Sequence, residues 1–324
     1  MNLLLSCIGK RGYIADYFRE ALPAGSKIIG TSNTEWTPGF SSCDVSLVLP
    51  PIASDEYLPA LLTECRKHEV VGLLSLFDPD VHRLSDHRAE LIKSGVVPVL
   101  PERSASTIAF DKLETWRSLT AMGIAVPLTT ESLSQGQEWV KSEVLTFPLV
   151  VKPRYGFGSS NTFIARNIAE LEVFYSYATD MIIQQFMDAE ALNVDGLGDL
   201  SGRPVAAVPW RKLLSRMGET ERSVTIECPE LIDLAERIIM QVGIIGPFDA
   251  DFFRDACGKL WVLELNLRFG GGYPVSHLAG AAFPELIVHM IRGNNFMPPR
   301  IDYKRGVTMM KKLSVIPGPA SDAI

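Results

Sequence analysis

Several features are missing from this chain, and each absence narrows what it can be. No apolar run approaches the ~18–20 residues that a membrane-spanning helix needs. The start, Met1-Asn-Leu-Leu-Leu-Ser-Cys-Ile-Gly-Lys-Arg11, has no basic stretch ahead of its apolar residues. It reads as a first core strand rather than a secretory leader. Cysteine is sparse: Cys7, Cys43, Cys65, Cys228 and Cys257 are scattered, odd in number and never spaced as CxxC. That excludes a disulfide framework and points to free, buried thiols in a reducing compartment. A positive excess is also missing: the net charge is −7 and the estimated pI 5.4, so no nucleic-acid-binding surface is indicated. There is no internal repeat and no low-complexity tract. A soluble, cytoplasmic protein is the expectation. With 324 residues, 47% of them hydrophobic, it can bury a sizeable core in two or three units.

The first hundred residues alternate short apolar runs with helical patterns. Strands are expected at 3–7, 27–31, 45–49, 71–75 and 96–100, and helices at 14–22, 57–68 and 80–94. This pattern predicts a doubly wound, parallel α/β unit whose ligands sit at the carboxyl ends of its strands. Gly9-Lys-Arg-Gly12 follows the first strand, where backbone amides could meet an anion. It lacks a full GxGxxG and reads equally as a tight turn. Beyond residue 104 the pattern changes to hairpins interleaved with helices. Helical segments are expected at 104–123, from Asn167 to about 178, at 229–242 and at 284–292. Strands are expected at 149–152, 162–165, 181–186, 192–197, 205–210 and 307–314, with 215–225 as a mobile loop. The second part is therefore α+β.

The most informative segment runs from Asp249-Ala-Asp251 through Gly258-Lys259 to Glu264-Leu-Asn266-Leu-Arg268. Two strand patterns flank a polar turn. Alternation places Glu264, Asn266 and Arg268 on one face, with Trp261, Leu263, Leu265 and Leu267 on the other. With residues 256–259 as the loop, Asp251 stands opposite Glu264, at roughly 4.5–5.5 Å between Cβ atoms. Carboxylates so close repel unless a cation sits between them. Hard oxygen donors of this kind suit Mg²⁺ held together with substrate phosphates, which hints at nucleoside triphosphate chemistry. A second segment, Val150-Val-Lys152-Pro-Arg-Tyr-Gly156-Phe-Gly158-Ser159-Ser160, delivers a lysine and then a glycine/serine turn able to approach phosphate closely. It is no Walker A loop, since no GK[ST] follows. Taken alone it is also compatible with a surface hairpin. His277, after Gly270-Gly-Gly-Tyr-Pro, reads as a structural histidine or a substrate contact. Cys7 has no His or Asp spaced to make it a nucleophile.

The order of segments is more specific than any one of them. Asp111-Lys112 is followed by Val-Val-Lys-Pro with its Gly/Ser loop, then Gln184-Gln185-Phe186. Val-Pro-Trp-Arg211-Lys, Gly-Pro-Phe-Asp-Ala-Asp-Phe-Phe and Leu-Glu-Leu-Asn-Leu-Arg-Phe-Gly-Gly-Gly come next. This order resembles the ATP-grasp superfamily, nearest its carbamoyl-phosphate-synthase-like and amino-acid-ligase-like branch. The resemblance implies an N-terminal Rossmann-like domain at 1–103, a small lobe with linker helices at 104–182 and a large lobe at 183–324. It implies phosphate-binding lysines at Lys112 and Lys152, and a loop over ATP at Gly156, Gly158, Ser159 and Ser160. Gln184, Gln185 and Phe186 would form the adenine hinge. Asp251, Glu264 and Asn266 would be ligands for Mg²⁺, or for Mn²⁺ as an alternative. Arg268 would face the transferring phosphate, and Arg211 would be a basic contact. Relatives carry Glu where Gln185 stands here. Their ribose-binding Glu aligns with Ala191, one residue from Glu190. The activity implied is ATP-dependent ligation of a small carboxylate to an amine through an acyl phosphate; a homodimer is compatible with it, and no nucleic acid or membrane is expected as partner. Phosphorylation of bicarbonate or carbamate, or nucleotide binding without catalysis, are the alternatives.

Overall fold

In the computed structural model, residues 1–156, 161–216, 219–293 and 301–318 are described. Strands β1 (Asn2–Ser6), β2 (Ile28–Ser32), β3 (Val45–Val48), β4 (Val70–Ser75) and β5 (Val97–Pro98) form a parallel sheet in the order β3-β2-β1-β4-β5. Strand order reverses beside β1, so the carboxyl ends of β1 and β4 open a crevice at the switch point. The helical stretch expected at 80–94 is two helices, Asp78–Ser85 and Arg88–Lys93. Asp86 lies at the break, where Arg103 Nη1 donates to its carboxylate at 2.6 Å.

Two antiparallel sheets follow. Strands β6 (Thr129–Thr130), β7 (Leu149–Pro153), β8 (Phe163–Ala165) and β9 (Met181–Gln185) pair in the order β6-β9-β7-β8. Strands β10 (Glu190–Gly198), β11 (Pro204–Arg216), β12 (Glu219–Thr225), β13 (Gly246–Arg254), β14 (Leu260–Asn266) and β15 (Thr308–Met310) pair as β14-β13-β10-β11-β12-β15. The lobe boundary expected between residues 182 and 183 falls inside β9. Because β9 pairs along its length with β7, the junction between sheets lies after Gln185.

The cores follow the same division. Leu149, Val151, Leu171 and Ile183 belong to a cluster of the small sheet. The N-terminal unit and the six-stranded sheet share clusters instead: Leu4 and Leu73 pack with Val194, Phe252 and Leu265, and Leu5 and Phe18 with Val208 and Phe269. Helix Pro229–Val242 has proline in its first turn and ends at Gly243 with φ 77°. Its buried residues Leu231, Ala235, Ile238, Ile239 and Val242 recur at helical spacing, so one stripe covers the sheet.

Two expectations fail here. The described residues of the mobile loop expected at 215–225 are strand: β11 runs to Arg216 and pairs with β12 from Glu219 onward, Trp210 opposite Thr225 and Arg211 opposite Val224. Thr220, Ser223 and Thr225 are buried polar residues of a pleated strand, which the polarity of the segment disguised. The second concerns β14. Asp251 pairs with Glu264 but Phe252 pairs with Val262, so Leu263 is an extra residue at a β-bulge. The bulge reverses the phase below it. Val262, not Trp261 or Leu263, enters the core, and Trp261 turns outward to donate from Nε1 to Asp255 at 2.9 Å. No described helix is long and apolar enough to cross a membrane.

Leu265 lies directly behind the carboxylate face and is fully buried, whereas Val173 is exposed. Leu265→Ala should therefore lower unfolding free energy by about 2–5 kcal/mol, and Val173→Ala by less than about 0.5 kcal/mol. Urea titration followed by circular dichroism checks both.

Candidate active site

Register builds the centre of the site. Asn193 on β10 stands opposite Asp251 on β13, which stands opposite Glu264 on β14. Two residues along, Asp195, Asp249 and Asn266 form a parallel row. Positions two apart share a face, so four carboxylates and two amides crowd onto one patch. Between them and solvent come cations from several elements. Lys212 on β11 donates to Asp251 Oδ1 at 2.7 Å, and Asn193 Nδ2 donates to the same oxygen at 2.6 Å. Burial opposes the Lys212 charge, but Asp251 outweighs it and holds the ammonium pKa above its usual range. Arg268 donates from Nε to Asp78 at 2.9 Å and has Nη1 3.7 Å from Asp249. Burial, then Asp251, pushes the Asp249 carboxyl up, against Arg268 and Lys212. Asp195 accepts from Ser276 Oγ at 2.5 Å, while burial and then Asp249 push its carboxyl up as well.

The lysines arrive from two separate segments. Asp111 caps helix Lys112–Ala121 by accepting from the Leu113 and Glu114 amides at 3.0 and 3.3 Å. Arg154, two residues beyond Lys152, grips Asp111 with a two-nitrogen fork at 2.7 and 2.6 Å. Its carbonyl also accepts from the Lys112 amide at 3.2 Å. The strand carrying Lys152 is thereby tied to the helix opened by Lys112. Lys112 Nζ donates to the Gly156 carbonyl at 2.6 Å and lies 3.4 Å from Glu264. Lys152 is buried, and burial, opposed by Glu264 and reinforced by Lys112, lowers its pKa to about 8.

Two clefts meet at this patch. One encloses about 780 Å³ between the sheets, with Lys112, Lys152 and Glu264 at one end and Gln184, Gln185, Phe186 and Met187 among its walls. At Gln185 β9 ends, and Gln185 is anchored to Leu128 through both backbone (2.8 Å) and side chain (3.3 Å). Gln184 Nε2 donates to Thr129 Oγ1 at 2.9 Å. The other cleft encloses about 1030 Å³ and is walled by Asp249, Asp251, Asn266, Lys212, Arg268 and the turn residue Arg11. Glu264 lines both.

Of the residues singled out from sequence, Lys112, Lys152, Gly156, Gln184, Gln185 and Phe186 line the first cleft, and Asp251, Asn266 and Arg268 the second. Arg211 does not join them. It alternates with Trp210 and Lys212 along β11, so its side chain leaves from the opposite face, 3.5 Å from Glu190. Lys212 takes the place expected for Arg211. Glu190 is likewise on the far face, held by Arg254 at 2.6 Å, and its hydrogen bond to Arg254 lowers its pKa. Ala191 shares the parity of Asn193 and faces the cleft side. Gly158, Ser159 and Ser160 lie outside the described residues. Lys212, Asp249, Asp195 and Arg11 escaped the sequence reading. Parity along β11 and β13 carried the signal for Lys212 and Asp249, whereas only tertiary contact brings in Arg11.

Asp251, Glu264 and Asn266 offer two carboxylates and an amide, all oxygen donors, which fits a small hard cation. The buried oxygens Asn193 Oδ1 and Asp249 Oδ1 lack a partner beside them. Among the described residues no group of three His, Cys, Asp or Glu gathers as a metal site.

A parallel α/β unit followed by two antiparallel sheets clasping a lysine- and carboxylate-lined cleft defines an ATP-grasp architecture. Comparison with known proteins agrees. Residues 3–100 match the family described as PylC-like, N-terminal domain, and residues 177–313 match ATP-grasp in the biosynthetic pathway with Ter operon. The chain belongs to the ATP-grasp superfamily. It is 26% identical over 180 residues to a D-alanine–D-alanine ligase of Pseudomonas fluorescens, covering 51% of this chain and 56% of that protein. The chain thus spans a little over half the length of the curated relatives it matches first. Its fold is like that of Campylobacter jejuni biotin carboxylase in complex with β,γ-ATP (TM-score 0.76, 16% identity, 95% of this chain and 74% of that one). It is equally like Staphylococcus aureus N5-carboxyaminoimidazole synthetase complexed with ADP (TM-score 0.76, 15% identity, 96% and 82%).

The buried Lys152 yields a pH prediction. An unfolded lysine titrates near ~10.4, above the folded value of about 8. Below pH 8 the charge therefore destabilises the ligand-free fold, and stability rises as pH climbs between those values, because the unfolded chain then binds more protons. Lys152→Met should raise the melting temperature of ligand-free protein at pH 7, by an effect on the order of 1–3 kcal/mol, and the gain should shrink at pH 10. Scanning calorimetry at both pH values checks this.

Proposed function

We propose that this protein is an ATP-dependent carboxylate–amine ligase that works through an acyl phosphate. The observation carrying this reading is the position of Glu264 on the wall of both clefts, with Lys112 and Lys152 on one side and Arg268 and Lys212 on the other. A nucleotide fits the first cleft, base against Gln185–Met187 and triphosphate toward the lysines. The acid fits the second.

Asp251, Glu264 and Asn266 would hold Mg²⁺, or Mn²⁺ in its place, and the bound ion would supply charge neutralisation on the β- and γ-phosphate oxygens. Lys112 and Lys152 orient the triphosphate and spread its charge. A carboxylate oxygen of the acid attacks the γ-phosphorus, the bond to the bridging oxygen breaks, and ADP leaves. Phosphoryl transfer of this kind depends on positioning and fixed charge rather than covalent help. Arg268, held by Asp78 and facing the second cleft, stabilises the transferring group. The amine then attacks the acyl carbon, and phosphate departs as the amide forms. With the Gln185 side chain and N–H both committed to Leu128, the base would be met by the backbone that follows, at Phe186 and Met187. With Ala191 facing the cleft and Glu190 turned away, this position offers no carboxylate to the ribose hydroxyls.

Incubation with Mg-ATP and amino acids in pairs, following phosphate release and product mass, should reveal acid-dependent ADP formation. Glu264→Ala should lower that rate by about 100-fold or more while leaving the fold intact by circular dichroism. Nucleotide binding without turnover across the whole panel would replace the ligase with a non-catalytic nucleotide-binding protein.

A further inference from the structure

The turn after β1 was open to two readings, tight turn or anion site. Part of its backbone serves the turn itself: Gly9 has φ 52°, its carbonyl accepts from the Gly39 amide at 2.7 Å, and the Arg11 amide donates to the Ile8 carbonyl at 3.0 Å. Its side chain Arg11 is another matter. Arg11 Nη1 donates to the Leu76 carbonyl at 3.0 Å and to the Phe269 carbonyl at 2.7 Å. The Phe269 carbonyl also accepts from Arg268 Nη1, at 3.1 Å. One oxygen therefore holds two guanidinium groups side by side, one from the N-terminal unit and one from the chain just beyond β14.

Placing like charges together needs compensation, and its distribution is uneven. Arg268 has Asp78 at 2.9 Å and Asp249 at 3.7 Å, and Lys212 has Asp251 at 2.7 Å. Arg11 makes no ion pair within 4.0 Å among the described residues, and its Nε and Nη2 have no acceptor there. Burial and then Arg268 disfavour its charge, Tyr13, Asp78 and Glu219 offset this only in part, and an arginine does not give up its proton in a protein. A largely enclosed cation that has carbonyl partners but no carboxylate in contact is costly and invites an anion. Both guanidiniums face the cleft of about 1030 Å³, and neither lines the nucleotide cleft, whose cations are the two lysines.

We propose that Arg11 and Arg268 form a two-guanidinium receptor for one oxyanion, and that Arg11 seats the carboxylate of the acid substrate beside the phosphoryl-transfer centre. The identity of the anion as substrate rests on the ligase reading; the receptor does not. A planar carboxylate presents two oxygens that accept forked N–H pairs from both sides. A phosphate of the nucleotide has the same oxyanion chemistry, but the cleft occupied by Arg11 favours the acid.

Full-length wild type, Arg11→Met and Arg11→Lys are compared in two measurements. The first titrates ¹³C-acetate by NMR in the presence of magnesium and a non-hydrolysable ATP analogue, whose own affinity is measured by calorimetry. Arg11→Met should weaken acetate binding by about tenfold or more and leave the analogue within about threefold; Arg11→Lys, keeping charge without the fork, should fall between. The second follows KM for whichever amino acid supports ADP formation, which should rise in Arg11→Met far more than KM for ATP. Unchanged acetate binding overturns the receptor, and parallel loss of acetate and analogue reassigns the anion to the nucleotide and overturns the substrate role. If Arg11→Met fails to fold, Arg11→Lys with wild-type acetate binding overturns the proposal on its own. Arg11-dependent acetate binding without turnover of any amino-acid pair removes the ligase reading and keeps the receptor. Turnover with an unchanged KM for the acid in Arg11→Met does the reverse.

Discussion

Repulsion among Asp195, Asp249, Asp251 and Glu264, placed on three neighbouring strands, is the constraint around which the molecule is arranged. Carboxylates this close cannot all stay charged in a low-dielectric patch without cations or protons among them. The chain supplies cations from everywhere except the carboxylate strands themselves. Lys212 comes from β11, Lys112 from a helix start, and Arg268 from the segment after β14. Arg268 in turn needs Asp78, which belongs to the N-terminal unit. Electrostatic balance at the centre thus fastens the parallel unit to the six-stranded sheet, in addition to the apolar clusters they share.

The small sheet obeys a different rule. It has its own apolar cluster, and the Asp111–Arg154 fork anchors it to the helix that begins with Lys112. Both lysines of the cleft between the sheets are consequently positioned by one partly buried ion pair. That economy matters for phosphate chemistry, in which distances between fixed charges decide the rate. Lys152 is stored in a state that burial disfavours, and an anion bound beside it would relieve that cost.

Much of this arrangement was legible beforehand. The Asp251–Glu264 pairing followed from strand alternation and loop length alone, because a hairpin leaves few choices of register. The helix Pro229–Val242 was bounded correctly by its proline and glycine. The alternation of apolar runs and helical patterns implied the parallel sheet. What escaped was parity and context. Arg211 was placed by resemblance, and Glu190 already stood one residue from the aligned Ala191; both leave from the face away from the cleft, because a one-residue step in a strand reverses the side chain. The bulge at Leu263 leaves no mark in residue type, so strict alternation put Trp261 on the face of Leu265. The segment 219–225 was polar enough to read as a loop, yet its threonines and serine are buried against neighbours far away in the chain.

Lys112 was singled out only by the segment order that resembles the ATP-grasp superfamily, whereas strand alternation, the turn glycines, the strand position of Lys152 and the shared face of Asp251, Glu264 and Asn266 were properties of the linear sequence. They arise from local geometry and from nearest-neighbour pairing in a hairpin, which short stretches of chain contain in full. Tertiary structure alone decided that Arg11, more than 250 residues from Arg268 in the chain, would share a carbonyl with it. It alone decided that Lys212 rather than Arg211 would meet the carboxylates. Such contacts depend on how separate sheets pack and on where a bulge shifts the register, and no single segment holds that information.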